Sequence, residues 1–215
     1  MKLNHQGLLI VLSGPSGVGK GTVRKALFER ATHKIEYSIS MTTRSMREGE
    51  VNGRDYYFVS EEEFKRNIEE GNLLEYANFV GNYYGTPLNK VYEQLDNGHE
   101  VLLEIDVQGA MQVKQKAKNA VFIFLAPPNI QSLFHRLNNR GTETPEIIKE
   151  RVDKSLREIN MASEYDYIVV NDEVENAVDK ILSIIRAEHA KCSRSLKGYL
   201  ELLNISENGG ESHDC

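Results

Sequence analysis

The segment Gly14-Pro15-Ser16-Gly17-Val18-Gly19-Lys20 sets glycines and a lysine in the spacing of a phosphate-binding loop. In such a loop the glycines let backbone N–H groups turn inward around phosphate oxygens. The helix that starts there adds its partial positive charge, and Lys20 reaches the β- and γ-phosphates of a nucleotide. One position departs from the pattern: the Ser or Thr hydroxyl that usually follows the lysine and supports magnesium is replaced by Gly21, with Thr22 next. A second cluster is acidic. Glu104 and Asp106 stand two residues apart at the end of the apolar run 101–105, which places both on one face of a strand. Two acids at a strand end are the usual companion of a phosphate loop, where they hold hydrated magnesium. A third cluster is cationic: Arg136, Arg140 and Arg151 fall in the charged segment 129–162. Taken singly, such arginines are more often surface charges paired with neighbours such as Glu143 and Glu150.

Those groups need a scaffold, and the hydrophobic pattern describes one. The run 8–12 reads as a buried strand that delivers the loop, and a helical pattern then continues to about residue 30. Runs at 101–105, 121–125 and 167–170 read as further buried strands. Helical patterns at 88–97, 107–118 and 173–203, the last a long helix or a helix pair, alternate with them. Alternation of this kind implies α/β architecture: a parallel sheet with helices on both faces. Residues 35–86 differ in character. They are rich in Tyr, Thr, Arg and Glu and read as short strands around a helix at 61–70, hence an inserted mixed α/β lobe. The expected organisation is a core of 1–34, 87–128 and 163–204, a lobe of 35–86, a helical lid of 129–162 with a break near Arg140-Gly141 and Pro145, and a polar tail of 205–215.

Composition narrows the partners. Lys and Arg number 26 against 32 Asp and Glu, a net charge of −6. An acidic chain is poorly suited to sequence-independent nucleic-acid binding, which depends on neutralised phosphates, so positive charge must be concentrated at the ligand site. The two cysteines, Cys192 and Cys215, have neither CxxC nor zinc spacing and read as free thiols in a reducing compartment. The apolar run before Ser13 is too short for a signal sequence or a membrane span. A cytoplasmic protein without membrane or nucleic-acid partners is expected. The single Asn-Lys pair, Asn89-Lys90, is followed by Val91-Tyr92 and so lacks the aspartate of a GTPase guanine-reading motif.

The stretch 38–58 carries Ser38, Ser40, Thr42-Thr43, Arg44, Arg47, Gly49-Glu50-Val51-Asn52-Gly53 and Tyr56 in order. Leu74-Glu75-Tyr76-Ala77, Gly81-Asn82-Tyr83-Tyr84-Gly85-Thr86, Leu103-Glu104-Ile105-Asp106-Val107-Gln108-Gly109 and Phe124-Leu125-Ala126-Pro127-Pro128 follow. Then come Arg136, Arg140-Gly141-Thr142-Glu143 and Val169-Val170-Asn171-Asp172. In this series the chain resembles the guanylate kinase family from about residue 8 to 188. The Gly-Lys-Gly-Thr segment is also similar to the loop of adenylate kinases.

The resemblance implies transfer of the γ-phosphoryl group of ATP to GMP with Mg2+. Gly14, Pro15, Ser16, Gly17, Val18, Gly19, Lys20, Gly21 and Thr22 would bind ATP with Arg136, Arg140 and Asn171, the last at adenine or its ribose. Ser40, Arg44, Arg47, Tyr56, Glu75, Tyr84, Thr86 and Asp106 would bind GMP. Glu75 is assigned the guanine N1–H and N2 amino group, two adjacent donors that suit a carboxylate. Arg44 and Arg47 offer charged forks to a monophosphate. Lys20, Arg44, Arg140 and Arg151 would act on the transferring group. Many family members have Asp where Glu104 stands, and its longer arm suits a water-mediated contact with magnesium. Two rivals differ in class: a non-catalytic guanylate-kinase-like interaction domain, disfavoured by the intact Lys20 and lid arginines, and a kinase for another monophosphate.

Overall fold

The computed structural model describes residues 6–31, 34–138 and 145–204. The chain runs β1 (Leu9–Ser13), α1 (Lys20–Arg30), β2 (Ile35–Tyr37), β3 (Met41–Thr42), β4 (Tyr57–Phe58), α2 (Glu61–Glu69), β5 (Leu73–Phe79) and β6 (Asn82–Pro87). It continues α3 (Leu88–Asp96), β7 (Glu100–Glu104), α4 (Val107–Lys116), β8 (Val121–Ala126), α5 (Ile130–Asn138), α6 (Pro145–Ile159), a 3-10 turn at Asn160–Glu164, β9 (Tyr167–Val170), α7 (Val174–Ala190) and α8 (Cys192–Leu202).

Five strands form a parallel sheet in the order β2-β7-β1-β8-β9. All five residues of β1 are buried, as a central strand covered on both faces requires. Alternate residues go to opposite faces. Leu8, Ile10 and Leu12 pack with Val23 and Leu27 of α1 and with Val178, Ile181 and Ile185 of α7. Leu9 and Val11 pack with Val91 and Leu95 of α3 and with Val107, Ala110 and Val113 of α4. Each such side chain contributes roughly 1.5–3 kcal/mol when fully buried, so this two-sided core is what holds the loop at the end of β1 in place.

The second sheet, in the order β4-β3-β6-β5, is mixed: β3 and β4 run parallel, the other pairs antiparallel. With α2 it forms the inserted lobe. Residues 35–37 lie inside the span expected for that lobe, yet β2 pairs with β7 at the edge of the core sheet. Only Ile35 of its three residues is buried, too little pattern to mark a core strand. The lobe touches the core where β5 meets α4. There Tyr76 N–H donates to Gln112 Oε1 at 3.1 Å, and Gln112 Nε2 donates to Tyr76 O at 2.9 Å. A side-chain amide thus does for edge strand β5 what a neighbouring strand would do.

The terminal helix pair is separated at Lys191, whose extended backbone ends α7 and precedes α8. Among the described residues, no helix is long and apolar enough to cross a membrane.

Candidate active site

The phosphate loop leaves β1 at the carboxyl end of the sheet. Gly14 is the residue with least latitude: its φ is +152°, and an added Cβ would stand 2.2 Å from Leu125 O. Helix α1 starts at Lys20 with Gly19 as its N-cap, without a side-chain cap and without an acid in its first turn. Helix α2 is the contrast, with Ser60 capping it and Glu61, Glu62 and Glu63 in its first turn. The start of α2 neutralises itself, whereas that of α1 is left to an anion.

Lys20 Nζ donates to Gly14 O at 2.7 Å and Pro15 O at 3.3 Å. Burial pulls its ammonium below the usual lysine value, while Glu158, Glu104 and Asp106 push it back up and Lys154 lowers it. Arg136 donates Nη1 to Val18 O at 2.9 Å and Nη2 to Asn171 O at 3.2 Å. Asn171, expected at adenine or ribose, is buried and donates Nδ2 to Val18 O at 2.8 Å, and its Oδ1 has no hydrogen-bond partner among the described residues. Arg151 reaches the loop from α6, with Nη2 2.6 Å from Ser16 Oγ. Thr22 is exposed on α1. Arg140 lies outside the described residues.

The lobe gathers the residues expected to bind GMP. Arg44 is clamped by Glu50, Nη1 to Oε2 at 3.0 Å and Nη2 to Oε1 at 2.8 Å, and Nη1 also donates to Ser45 O at 2.7 Å. Its guanidinium lies 5.3 Å from the Tyr56 ring centre, and Tyr56 meets Tyr84 edge-on with ring centres 6.0 Å apart. Arg47 offers its backbone N–H to Glu50 at 2.7 Å and leaves its side chain exposed. Ser40 is half-buried and accepts from Tyr57 N–H through its carbonyl.

Lobe and core meet at two carboxylates. Glu75 is 7% exposed, and Thr86 Oγ1 donates to its Oε1 at 2.6 Å. Its Oε2 faces α4: a Cβ on Gly109 would stand 3.0 Å from that oxygen and 3.4 Å from Asp106 Oδ1. Glycine at 109 is what lets both carboxylates approach the helix start. Burial, with Asp106 adding to it, pushes Glu75 up to about 7, while Thr86 and Lys116 oppose the rise. Asp106 was expected on the strand face beside Glu104. The strand instead ends at Glu104, and Asp106 caps α4 by accepting from Gly109 N–H at 2.8 Å. That capping bond is the physical reason the strand stops.

Glu104 turns to α1. Its Oε2 accepts from Arg24 Nε at 2.6 Å, and its Oε1 lies 3.7 Å from where a Cβ on Gly21 would stand. The missing side chain at 21 and the long arm at 104 therefore share one space. Among the described residues, no three His, Cys, Asp or Glu gather into a metal cage. This donor set would suit magnesium carried on nucleotide phosphates, with Glu104 reaching it through water.

Sequence reasoning missed Glu50, Gln112, Ser155 and Glu158. Residues 151, 154, 155 and 158 recur at helical spacing, which was the available signal for a shared face of α6. Nothing local marks Gln112, whereas Glu50 stands in the Gly49-Glu50-Val51-Asn52-Gly53 motif without a role assigned to it.

Comparison with known proteins agrees with this geometry. The family model for guanylate kinase matches residues 6–188. The guanylate kinase of Streptococcus thermophilus (strain CNRZ 1066) is 54% identical over 202 residues, 94% of this chain and 97% of that protein. That of Onion yellows phytoplasma (strain OY-M) is 54% identical over 210 residues, 97% and 98% of the two chains. The crystal structure of guanylate kinase from Anaplasma phagocytophilum superposes with a TM-score of 0.71 at 35% identity, covering 95% of this chain and 100% of that one. A match spanning loop, lobe and helical lid alike, with relatives more than half identical along nearly the whole length, means that this chain belongs to the guanylate kinase family.

Proposed function

We propose that the protein transfers the γ-phosphoryl group of ATP to GMP, yielding ADP and GDP. The observation that carries this reading is the placement of the buried Glu75 carboxylate. One oxygen is held by Thr86 and the other is free to face a ligand beside Gly109, on the lobe that meets the phosphate-loop core. Carboxylate oxygens only accept, and guanine presents N1–H and its N2 amino group side by side. Adenine has an acceptor at N1 and no amino group at C2, so AMP would leave the carboxylate unpaired.

Phosphoryl transfer requires positioning and neutralisation of charge more than covalent help. Lys20 exchanges the Gly14 and Pro15 carbonyls for phosphate oxygens. Arg44, pre-oriented by Glu50, holds the GMP phosphate with Arg47, Tyr56 and Tyr84. Asn171 and Arg136 support the loop at Val18 and border the ATP side. Arg151, with Arg140 from the lid, adds positive charge near the transferring group, and lid closure excludes water that would otherwise hydrolyse ATP. Magnesium bound with ATP would screen the phosphate charge, and Glu104 would hold a water on it. A soluble cytoplasmic setting fits substrates of this class.

Initial rates with ATP and each of GMP, AMP, UMP and CMP test the reading. GMP should be preferred by about 10⁴-fold or more over AMP, the scale on which a site built to pair N–H groups rejects an analogue lacking them. Comparable rates with AMP would overturn the substrate, and absence of turnover with any acceptor would overturn the enzyme.

A further inference from the structure

Helix α6 carries a carboxylate that the transfer described above leaves unused. Glu158 is 6% exposed, and its Oε2 accepts from Ser16 N–H at 3.3 Å. A carboxylate there is unfavourable on two counts: it is removed from water, and it faces a loop that must receive a triphosphate. Its surroundings account for it. Lys154 Nζ lies 3.6 Å from Oε1. Burial depresses the Lys20 ammonium, and Glu158 is the foremost charge opposing that, ahead of Glu104 and Asp106. Arg151 donates to Ser16 Oγ at 2.6 Å, and Ser155 Oγ donates to Ser16 O at 3.5 Å. Residues 151, 155 and 158 follow i, i+4, i+7 and so share one face of the helix. Among the described residues, that face alone holds Ser16 at its amide, carbonyl and hydroxyl. Without a negative charge at this point, Lys20 and Lys154 would lose the foremost charge opposing theirs at the loop until ATP arrives.

We propose that Glu158 is a positioning residue for phosphoryl transfer, its carboxylate locking Ser16 and the cation-bearing face of α6 into one register before ATP binds. The proposal rests on the ATP:GMP reading above. Glu158 acts through Ser16 and Lys154, and its own charge opposes that of the triphosphate. Removing the charge while keeping the shape therefore pulls binding and turnover apart.

Glu158→Gln separates the two. Calorimetry with ATP gives affinity and the fraction of binding-competent protein, and steady-state rates with GMP give kcat per competent site. The expected result is a kcat at least tenfold lower per competent site, with Kd for ATP within threefold of wild type or tighter. A residue that only fills space would lower the competent fraction and the melting temperature but leave kcat per competent site unchanged, and that result overturns the proposal. So does a weakening of ATP affinity that accounts for the whole loss in kcat/KM. Should Glu158→Gln not fold, Glu158→Asp keeps the charge but withdraws it from Ser16 N–H by one methylene. A tenfold lower kcat at unchanged ATP affinity then supports the proposal, and a wild-type kcat overturns it. Wild-type turnover of ATP with GMP is the control: its absence would sink the functional reading itself, not this role of Glu158.

Discussion

The loop side and the lobe side of this molecule handle charge in opposite ways. Around the phosphate loop the charged groups among the described residues have partners: Lys20 on two carbonyls, Arg136 on Val18 and Asn171, Arg151 on Ser16, and Glu158 between Ser16 and Lys154. On the lobe, Glu75 is buried with a single hydroxyl donor and a second acid, Asp106, at the same glycine. The first region is assembled before its ligand arrives, whereas the second holds a buried carboxylate with one oxygen on Thr86 and the other facing the space beside Gly109. On the proposed reading, readiness at the loop favours rate, and the carboxylate oxygen left open at Glu75 favours selection.

If that contrast is right, the largest effect should come from the loop. Lys20→Ala removes a charge that acts on the transferring group, and kcat should fall about 10²–10³-fold, the scale for losing one preorganised electrostatic contact. Circular dichroism should remain native. A near-normal kcat would break the comparison at its first term.

Glu75→Gln tests the other term. It keeps the shape but turns one acceptor into a donor. The loss in kcat/KM for GMP should be on the order of 2–4 kcal/mol, the range for a charge-assisted hydrogen bond. IMP keeps N1–H but lacks the amino group, so it should be a poorer wild-type substrate and should lose less on mutation. Equal losses with GMP and IMP would show that Glu75 does not read the amino group. No loss with either would move base reading to Asp106.

The legibility of the fold and site followed the same division. Runs 8–12, 101–105 and 121–125 announced their strands because residues buried on both faces must be apolar throughout. The phosphate loop was legible because its spacing is local. The lobe residues were legible only through family resemblance, since Glu75 alone is just an acid in a strand. Contacts made by long-range packing left no local trace: Gln112 to Tyr76, Glu158 to Ser16, and Asn171 turning beneath Val18 instead of toward solvent. The break at Lys191 carries neither glycine nor proline, so the helix pair could not be told from one long helix.

Titration sharpens the contrast further. Glu75 is pushed up to about 7, so below that pH the ligand-free enzyme holds a proton there that GMP must displace. The wild-type KM for GMP should rise as pH falls through 7, by up to about tenfold per unit, relative to Glu75→Gln. Titration of the substrate phosphate is common to both proteins and cancels in the ratio. The stability sign is opposite. A carboxyl with a raised folded pKa destabilises the fold in its charged form, so ligand-free wild type should lose on the order of 2–3 kcal/mol as pH rises from about 4.5 to 7. Glu75→Gln should not show that loss, and thermal melts across the window would expose a flat wild-type profile if the assignment is wrong.

A smaller change should move the same midpoint. Thr86→Val deletes the hydroxyl that favours the charged form of Glu75. The midpoint in the KM profile should climb by about one pH unit, as expected for one hydrogen bond to a charged group. An unmoved midpoint would mean that Thr86 packs against Glu75 without stabilising its charge.

Should the lobe turn on closing over its substrate, the amide clasp between Gln112 and Tyr76 would set the axis. It anchors β5, one edge of the small sheet, to α4, while β4 at the other edge stands three strand spacings away, about 14 Å. Rotation of the lobe about that clasp leaves Glu75, the residue beside the pivot, nearly stationary. A turn of about 10° carries the far edge through about 2.5 Å over the same span, and Arg44 and Tyr56 travel with it. The base would then be read at the fulcrum and the phosphate swung into line at the end of the arm. Gln112→Ala frees the pivot and should raise the KM for GMP a few-fold, about 1 kcal/mol for the lost hydrogen bonding, with the KM for ATP unmoved. Equal changes for both substrates would show that the clasp steadies the whole fold and sets no axis.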